Sequence, residues 1–211
     1  MRNQLINFAI GVVTLGAAGA FVLILVHALW YAPEEEAAVV LNASTTPGVP
    51  QSAASSSISA PIPHDTGMRL RIPAIGVDAA IQDVGIGKTG NMAVPTNYTD
   101  VGWYRYGTKI GDAGSAVMDG HVDNGFALAA VFKNLDQLKA GDDIYVDKQD
   151  GTTLHFKVEE ADDYPAADVP LQQLFNRNDG QARLNLITCA GEWDSSAEAY
   201  DHRTVVYAVL V

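Results

Sequence analysis

Residues 67–211 predict a mainly β domain, closed into a barrel or stacked as a sandwich. Two observations carry this reading. Apolar residues there recur at two-residue spacing, the period that gathers them on one face of a strand, and glycine-rich turns separate the runs. Only 128–138 and 171–175 carry a helical pattern, and both are short. Many strands in one domain must have their edges paired or covered, which a barrel or a sandwich achieves.

In chain order, residues 8–31 come first and contain no Asp, Glu, Lys or Arg. A helix of that length is about 36 Å long and crosses a hydrocarbon core of about 30 Å with some tilt. The rival reading is a signal peptide cut after Ala18-Gly19-Ala20, but cleavage there leaves a terminus beginning Phe21-Val22-Leu23-Ile24. An uncleaved anchor spanning 1–32 is therefore expected. Arg2 on one flank and Glu34-Glu35-Glu36 on the other favour an amino terminus inside the cell and the rest of the chain outside. His27 sits near the exit end of this span and reads as an interfacial side chain. Residues 33–66 turn to Ala, Ser, Thr and Pro, which bury too little apolar surface to offset backbone entropy, so a disordered tether is expected there.

Within 67–211, Leu70 and Ile72 alternate with Arg71 ahead of Pro73. A strand at 115–118 ends in Asp119-Gly120. The clearest hairpin runs 143–147, turns at Gln149-Asp150-Gly151, and returns over 153–159 with Leu154, Phe156 and Val158 on one face. Two more strands are expected at 182–188 and 204–211. The loop 162–178, with Tyr164, Pro165, Val169 and Leu171, is expected to line a binding groove.

Charge and cysteine content exclude several functions. With 25 Asp+Glu against 13 Lys+Arg and a formal net charge of -12, the chain lacks the clustered cations that bind phosphates, so no nucleic-acid partner is expected. One cysteine allows neither an internal disulfide nor a multi-cysteine zinc site. No Asp-x-Asp-x-Asp-Gly spacing marks a calcium loop, and neither metal nor cofactor is expected.

Chemistry then centres on the thiol. Cys189 ends Leu184-Asn185-Leu186-Ile187-Thr188-Cys189, where a strand gives way to a loop. Alternation puts Leu184, Leu186 and Thr188 on one face and Ile187 and Cys189 on the other, so the thiol faces outward if the leucines fill the core. A free thiol in an oxidising exterior is a liability unless it is used. Of five histidines, His27 falls in the span, His64 in the tether and His155 on an outer face, which leaves His121 at a strand end beside a flexible turn and His202 in reserve. Arg203 opens the last strand, sharing a face with Val205, Tyr207 and Val209, and offers a fixed cation for a developing oxyanion. Arg69, Arg71, Arg105, Arg177 and Arg183 read as surface cations. The acidic Glu192-Trp193-Asp194 after the thiol is expected to raise its pKa.

Three segments in this order resemble a sortase: Ala116-Val117-Met118-Asp119-Gly120-His121-Val122-Asp123, then Leu186-Ile187-Thr188-Cys189, then Arg203-Thr204-Val205-Val206-Tyr207-Ala208. The second resembles the family's Thr-Leu-x-Thr-Cys, with Asn185 where the first Thr is usual, and Asp119 stands where the family often has a small residue. With Arg71-Ile72-Pro73-Ala74-Ile75-Gly76-Val77 and Val101-Gly102-Trp103-Tyr104, the set is most similar to class F, with class D or E as alternatives.

The resemblance implies a closed eight-stranded barrel and a transpeptidase of the bacterial cell membrane. Such an enzyme cuts a Leu-Pro-x-Thr-Gly-type signal on secreted proteins between Thr and Gly and joins the acyl group to an amine of the cell envelope or of a pilin. It further implies Cys189 as nucleophile, His121 as acid/base and Arg203 as oxyanion or substrate-positioning group, with Thr188, Ala190 and Ile187 in the substrate groove. Two other readings compete. A cysteine L,D-transpeptidase would place a His two residues before the Cys, and no His lies in 186–189. A non-catalytic, envelope-anchored binding domain would bury Cys189 as an inert core residue.

Overall fold

The computed structural model describes residues 64–88 and 90–211. The expected anchor and nearly all of the tether therefore lie outside the described residues. Among these residues eight strands form a closed barrel: β1 (His64–Ile72), β2 (Val77–Val84), β3 (Val101–Tyr104), β4 (Gly114–Asp119), β5 (Asp143–Asp147), β6 (Thr153–Pro165), β7 (Ala182–Asp194) and β8 (Ala199–Leu210). Around the barrel the order is β1-β2-β3-β4-β7-β8-β6-β5, and β5 pairs back onto β1. The β2/β3 and β4/β7 pairs are parallel and the others antiparallel. β1 begins at His64, so 64–66 belong to the barrel and not to the tether, and the Thr66 hydroxyl donates to the Ile81 carbonyl at 2.6 Å.

Strand alternation sorts the side chains into two apolar clusters. Leu70, Ile72, Ile81, Met118, Ile144, Val146, Phe156, Leu184, Leu186 and Val206 fill the barrel. Val84, Tyr104, Val117, Ile187, Val205 and Tyr207 lie on the outer face, packed with Val169, Leu174 and Phe175 around the helix α1 (Leu171–Asn176). This second core buries one outside patch of the barrel and ends where β4, β7 and β8 come together. The outward side of β7 thus carries Ile187 and then Cys189, as alternation predicts.

Two sequence expectations give way. The stretch 128–138 is not a helix: its Leu135–Gln137 part is a single 3-10 turn. Its N–H groups are spent elsewhere, Leu128 on Asn124, Val131 on Tyr98 and Phe132 on His121, which leaves no i to i−4 ladder. Arg183 is not a surface cation either. Its guanidinium is buried and ion-paired with Asp179 and Glu159, because the carboxylates of a neighbouring strand and loop satisfy it where the chain folds over it.

Candidate active site

Cys189 and Arg203 are direct partners across the antiparallel β7/β8 pair, which sets their Cα atoms about 5 Å apart. Immediately beyond them the register shifts: β7 carries one more residue than β8 between the Ala190–His202 and Trp193–Tyr200 pairs. Gly191 takes a left-handed φ of 80° within this bulge, and a Cβ there would run into Asp201 and His202. The bulge bends the β7/β8 hairpin so that Trp193, Glu198, Ala199 and Tyr200 wall the same cavity as Cys189.

His121 reaches that cavity from β4. Gly120 permits the turn, since a Cβ at this position would collide with Val131 and Phe132. The Thr188 hydroxyl donates to the Gly120 carbonyl at 2.7 Å, tying the residue before the thiol to the residue before the imidazole. Thr188→Val keeps the shape but strands that buried carbonyl, and is expected to cost about 1–3 kcal/mol in urea unfolding.

The imidazole itself is 8% exposed and packs against the Tyr98 ring at 5.1 Å between centroids. Its Nε2 lies 3.3 Å from the Pro95 carbonyl. A carbonyl only accepts, so Nε2 carries the hydrogen and Nδ1 is left to take and give a proton. The segment bearing Pro95 is pinned in turn: the Gln82 amide oxygen accepts from both the N–H and the hydroxyl of Thr96. Burial is the largest influence on His121 and lowers its pKa below 6.5, opposed by the Pro95 bond and by the charge of Asp123.

Arg203 is 3% exposed, and its Nη1 donates to the Tyr200 and His202 carbonyls at 2.9 and 2.6 Å. Its buried Nε has no hydrogen-bond partner among the described residues. A guanidinium anchored through Nη1 while its residue still lines the cavity is placed to meet an acceptor that arrives with a ligand. The Tyr200 hydroxyl donates to Asp123 Oδ2 at 2.6 Å, bracing the hairpin against the loop that follows His121.

Cys189, His121, Arg203, Thr188 and Ile187 all line one cavity of about 150 Å³, together with Val94 and Asp119. Ala190 lies on the far side of Cys189, facing a different hollow with Asp162 and Thr204. His202 points away and pairs with Asp201. The loop 162–178 does not line the cavity; Tyr164, Val169 and Leu171 are taken up by the outer core. The walls that the sequence did not mark are Val94, Trp193, Glu198, Ala199 and Tyr200. Glu192 and Asp194 are exposed, and Asp194 is engaged in the hairpin turn with Ser196, so they do not border the cavity as an acidic wall. Asn185, at the position where Thr is usual, donates to the Leu174 carbonyl at 2.6 Å and holds α1 on the barrel.

A thiol, an imidazole and a guanidinium brought to one cavity on an eight-stranded barrel define a β-barrel protein with a cysteine-centred candidate site. The Sortase domain family matches residues 70–211, and the chain belongs to the sortases, a family of transpeptidases. Among solved structures it is similar to sortase A from Corynebacterium diphtheriae, at 23% identity over 72% of this chain and 62% of that one, with a TM-score of 0.51. It is likewise similar to sortase C-1 from Actinomyces oris, at 25% identity over 70% and 75% with a TM-score of 0.52. A sortase D5 transpeptidase from Clostridium perfringens matches at 19% identity over 68% and 78%, with a TM-score of 0.50. The chain thus spans 62% of the first of these relatives, and these likenesses are to sortases of types A, C and D. No curated protein matches it.

Proposed function

We propose that this chain is a membrane-anchored cysteine transpeptidase that cuts a Leu-Pro-x-Thr-Gly-type signal between Thr and Gly and passes the acyl group to an amine. The observation that carries the reading is the shared cavity of Cys189, His121 and Arg203, with the Arg203 Nε–H buried and unspent. The Cys189 thiolate attacks the Thr carbonyl carbon, and the carbonyl oxygen becomes an oxyanion that the Arg203 guanidinium holds. His121, protonated at Nδ1, gives that proton to the leaving glycine nitrogen as the C–N bond breaks. The thioester is then attacked by an incoming amine, whose proton passes to Nδ1 of the neutral ring, and the thiolate leaves.

The span at 8–31 supports an anchor in the bacterial cell membrane, with the barrel outside and a tether before it. Secreted proteins bearing the signal are the donors, and an amine of the envelope or of a pilin is the acceptor. The glycine, histidine and tryptophan motifs favour class F. Ile187 and Thr188, as cavity walls, contact the acyl donor, and the backbone N–H of Ala190 is a second oxyanion donor.

The test uses the full chain in detergent micelles with a Leu-Pro-x-Thr-Gly peptide and an oligoglycine amine, read by mass spectrometry. The expected result is a Thr-to-amine ligation product, with a transient acyl adduct on Cys189, both lost after iodoacetamide treatment. No product, together with a thiol that stays unlabelled until the protein unfolds, would replace this reading with that of an envelope-anchored binding domain.

A further inference from the structure

Two carboxylates line the cavity, the exposed Glu198 in the β7/β8 turn and the buried Asp119 on β4, and the reaction steps above use neither. Asp119 ends β4 on the outer face, between Gly102 of β3 and Ile187 of β7, and it is only 3% exposed. Its Oδ1 has no hydrogen-bond partner among the described residues. Space for the carboxyl group exists because residue 102 is glycine: a Cβ there would collide with Asp119 Oδ1 and with Val84. Only its own backbone N–H favours the charged form, and burial, the larger influence, pushes its pKa well above 3.8. A carboxyl held in the neutral form has an O–H to donate and a carbonyl oxygen to accept. The buried Oδ1 has nothing to pair with among the described residues, and a ligand with a hydroxyl would supply the missing partner.

Position along the strands says which part of a ligand this is. Asp119 pairs with Ile187, and Cys189 follows two residues later on the same face, about 7 Å along the strand. A group set back by that much along the face and one strand over, lining the same cavity as the sulfur, is near enough to meet the side chain of the residue whose carbonyl is attacked. The surroundings there are mixed, with Val94 and Ile187 apolar and Asp119 polar. A side chain that forks into a methyl and a hydroxyl matches both.

We infer that Asp119 is a specificity-determining residue for the acyl donor: its carboxyl group hydrogen-bonds the side-chain hydroxyl of the residue attacked by Cys189, and so selects threonine over the isosteric valine. This rests on the transpeptidase reading above. Asp119 is placed to bind the donor and takes no part in bond making.

The test compares kcat/KM of the full chain in micelles for two peptides that differ only in Thr or Val at the acyl-side position. Wild type is expected to favour Thr by about 100-fold, the order expected when one buried polar group is left unpaired by the analogue. Asp119→Leu is expected to bring the ratio below about 5-fold, and Asp119→Asn, which keeps a donor and an acceptor, to hold it above about 30-fold. A purely structural role would slow both peptides alike and leave the ratio in place. A wild-type ratio near one overturns the inference without any variant, so it stands or falls even if the leucine variant does not fold. An unchanged ratio in a folded Asp119→Leu overturns it as well. Turnover of neither peptide by wild type would remove the transpeptidase reading, and this inference with it.

Discussion

Arg203→Met is expected to lower kcat/KM for the signal peptide by about 10³-fold, the upper end of what one oxyanion donor supplies. Methionine keeps much of the buried stem and removes the charge and the N–H groups. The size of the effect follows from how the guanidinium is held. Its Nη1 is committed to the Tyr200 and His202 carbonyls, so the group cannot swing, while the buried Nε–H is free of any partner among the described residues. Such a donor need not reorganise when charge develops, which is where electrostatic catalysis gains most. Arg203→Lys is expected to recover little, because an ammonium on a flexible stem cannot both bridge those two carbonyls and present a second donor. Circular dichroism and thermal unfolding separate the effect from misfolding, since the two carbonyls also lose their partner. A folded Arg203→Met that retains more than a fifth of wild-type kcat/KM would remove Arg203 from the reaction.

The parts of the site that were legible in the sequence are those fixed by strand period. Leu184 and Leu186 fill the barrel, so Ile187 and Cys189 had to face outward, and the same parity puts Arg203 beside Val205 and Tyr207 on that face. His121 was legible as a strand-end residue after a glycine. What stayed hidden depends on contacts between segments far apart in the chain. The bulge at Gly191 turns Trp193 and Tyr200 over the cavity, and a pattern of alternation has no term for one extra residue. The loop 162–178 stands apart from the Cys189 cavity because Tyr164, Val169 and Leu171 found apolar partners on α1 and the barrel wall, a placement that apolar content alone cannot foretell. Asp119 reads as a departure from a motif, and only its pairing with Gly102 shows that the barrel makes room for it.

His121→Gln is expected to lower kcat/KM by about 10³-fold, within the range of a positioned acid/base, and to move the bend of the acid limb of its pH profile up from the imidazole to the ionisation of the thiol. In wild type that limb is expected below pH 6.5, because burial penalises the imidazolium more than the Pro95 carbonyl and the Asp123 charge favour it. The sign extends to stability. A base whose folded pKa is depressed binds its proton more readily when unfolded, so its contribution is fully present above 6.5 and is lost as pH falls toward the folded value. Thermal unfolding of wild type should therefore weaken on acidification through this window, and His121→Gln should show less of that dependence. Asp123→Asn separates the causes: deleting the charge that raises the imidazole pKa should move the acid limb lower still. A limb that moves upward would mean that Asp123 acts on some other group. The direction also bears on rate, because a lowered imidazole pKa reduces the fraction of enzyme carrying both thiolate and imidazolium. With ordinary thiol and imidazole pKa values of about 8.5 and 6.5 that fraction is already only about one in a hundred, and burial of His121 lowers it further. Turnover is thus expected to be slow at every pH, and a thiol titrating well below His121 in a pH series of iodoacetamide alkylation would contradict this.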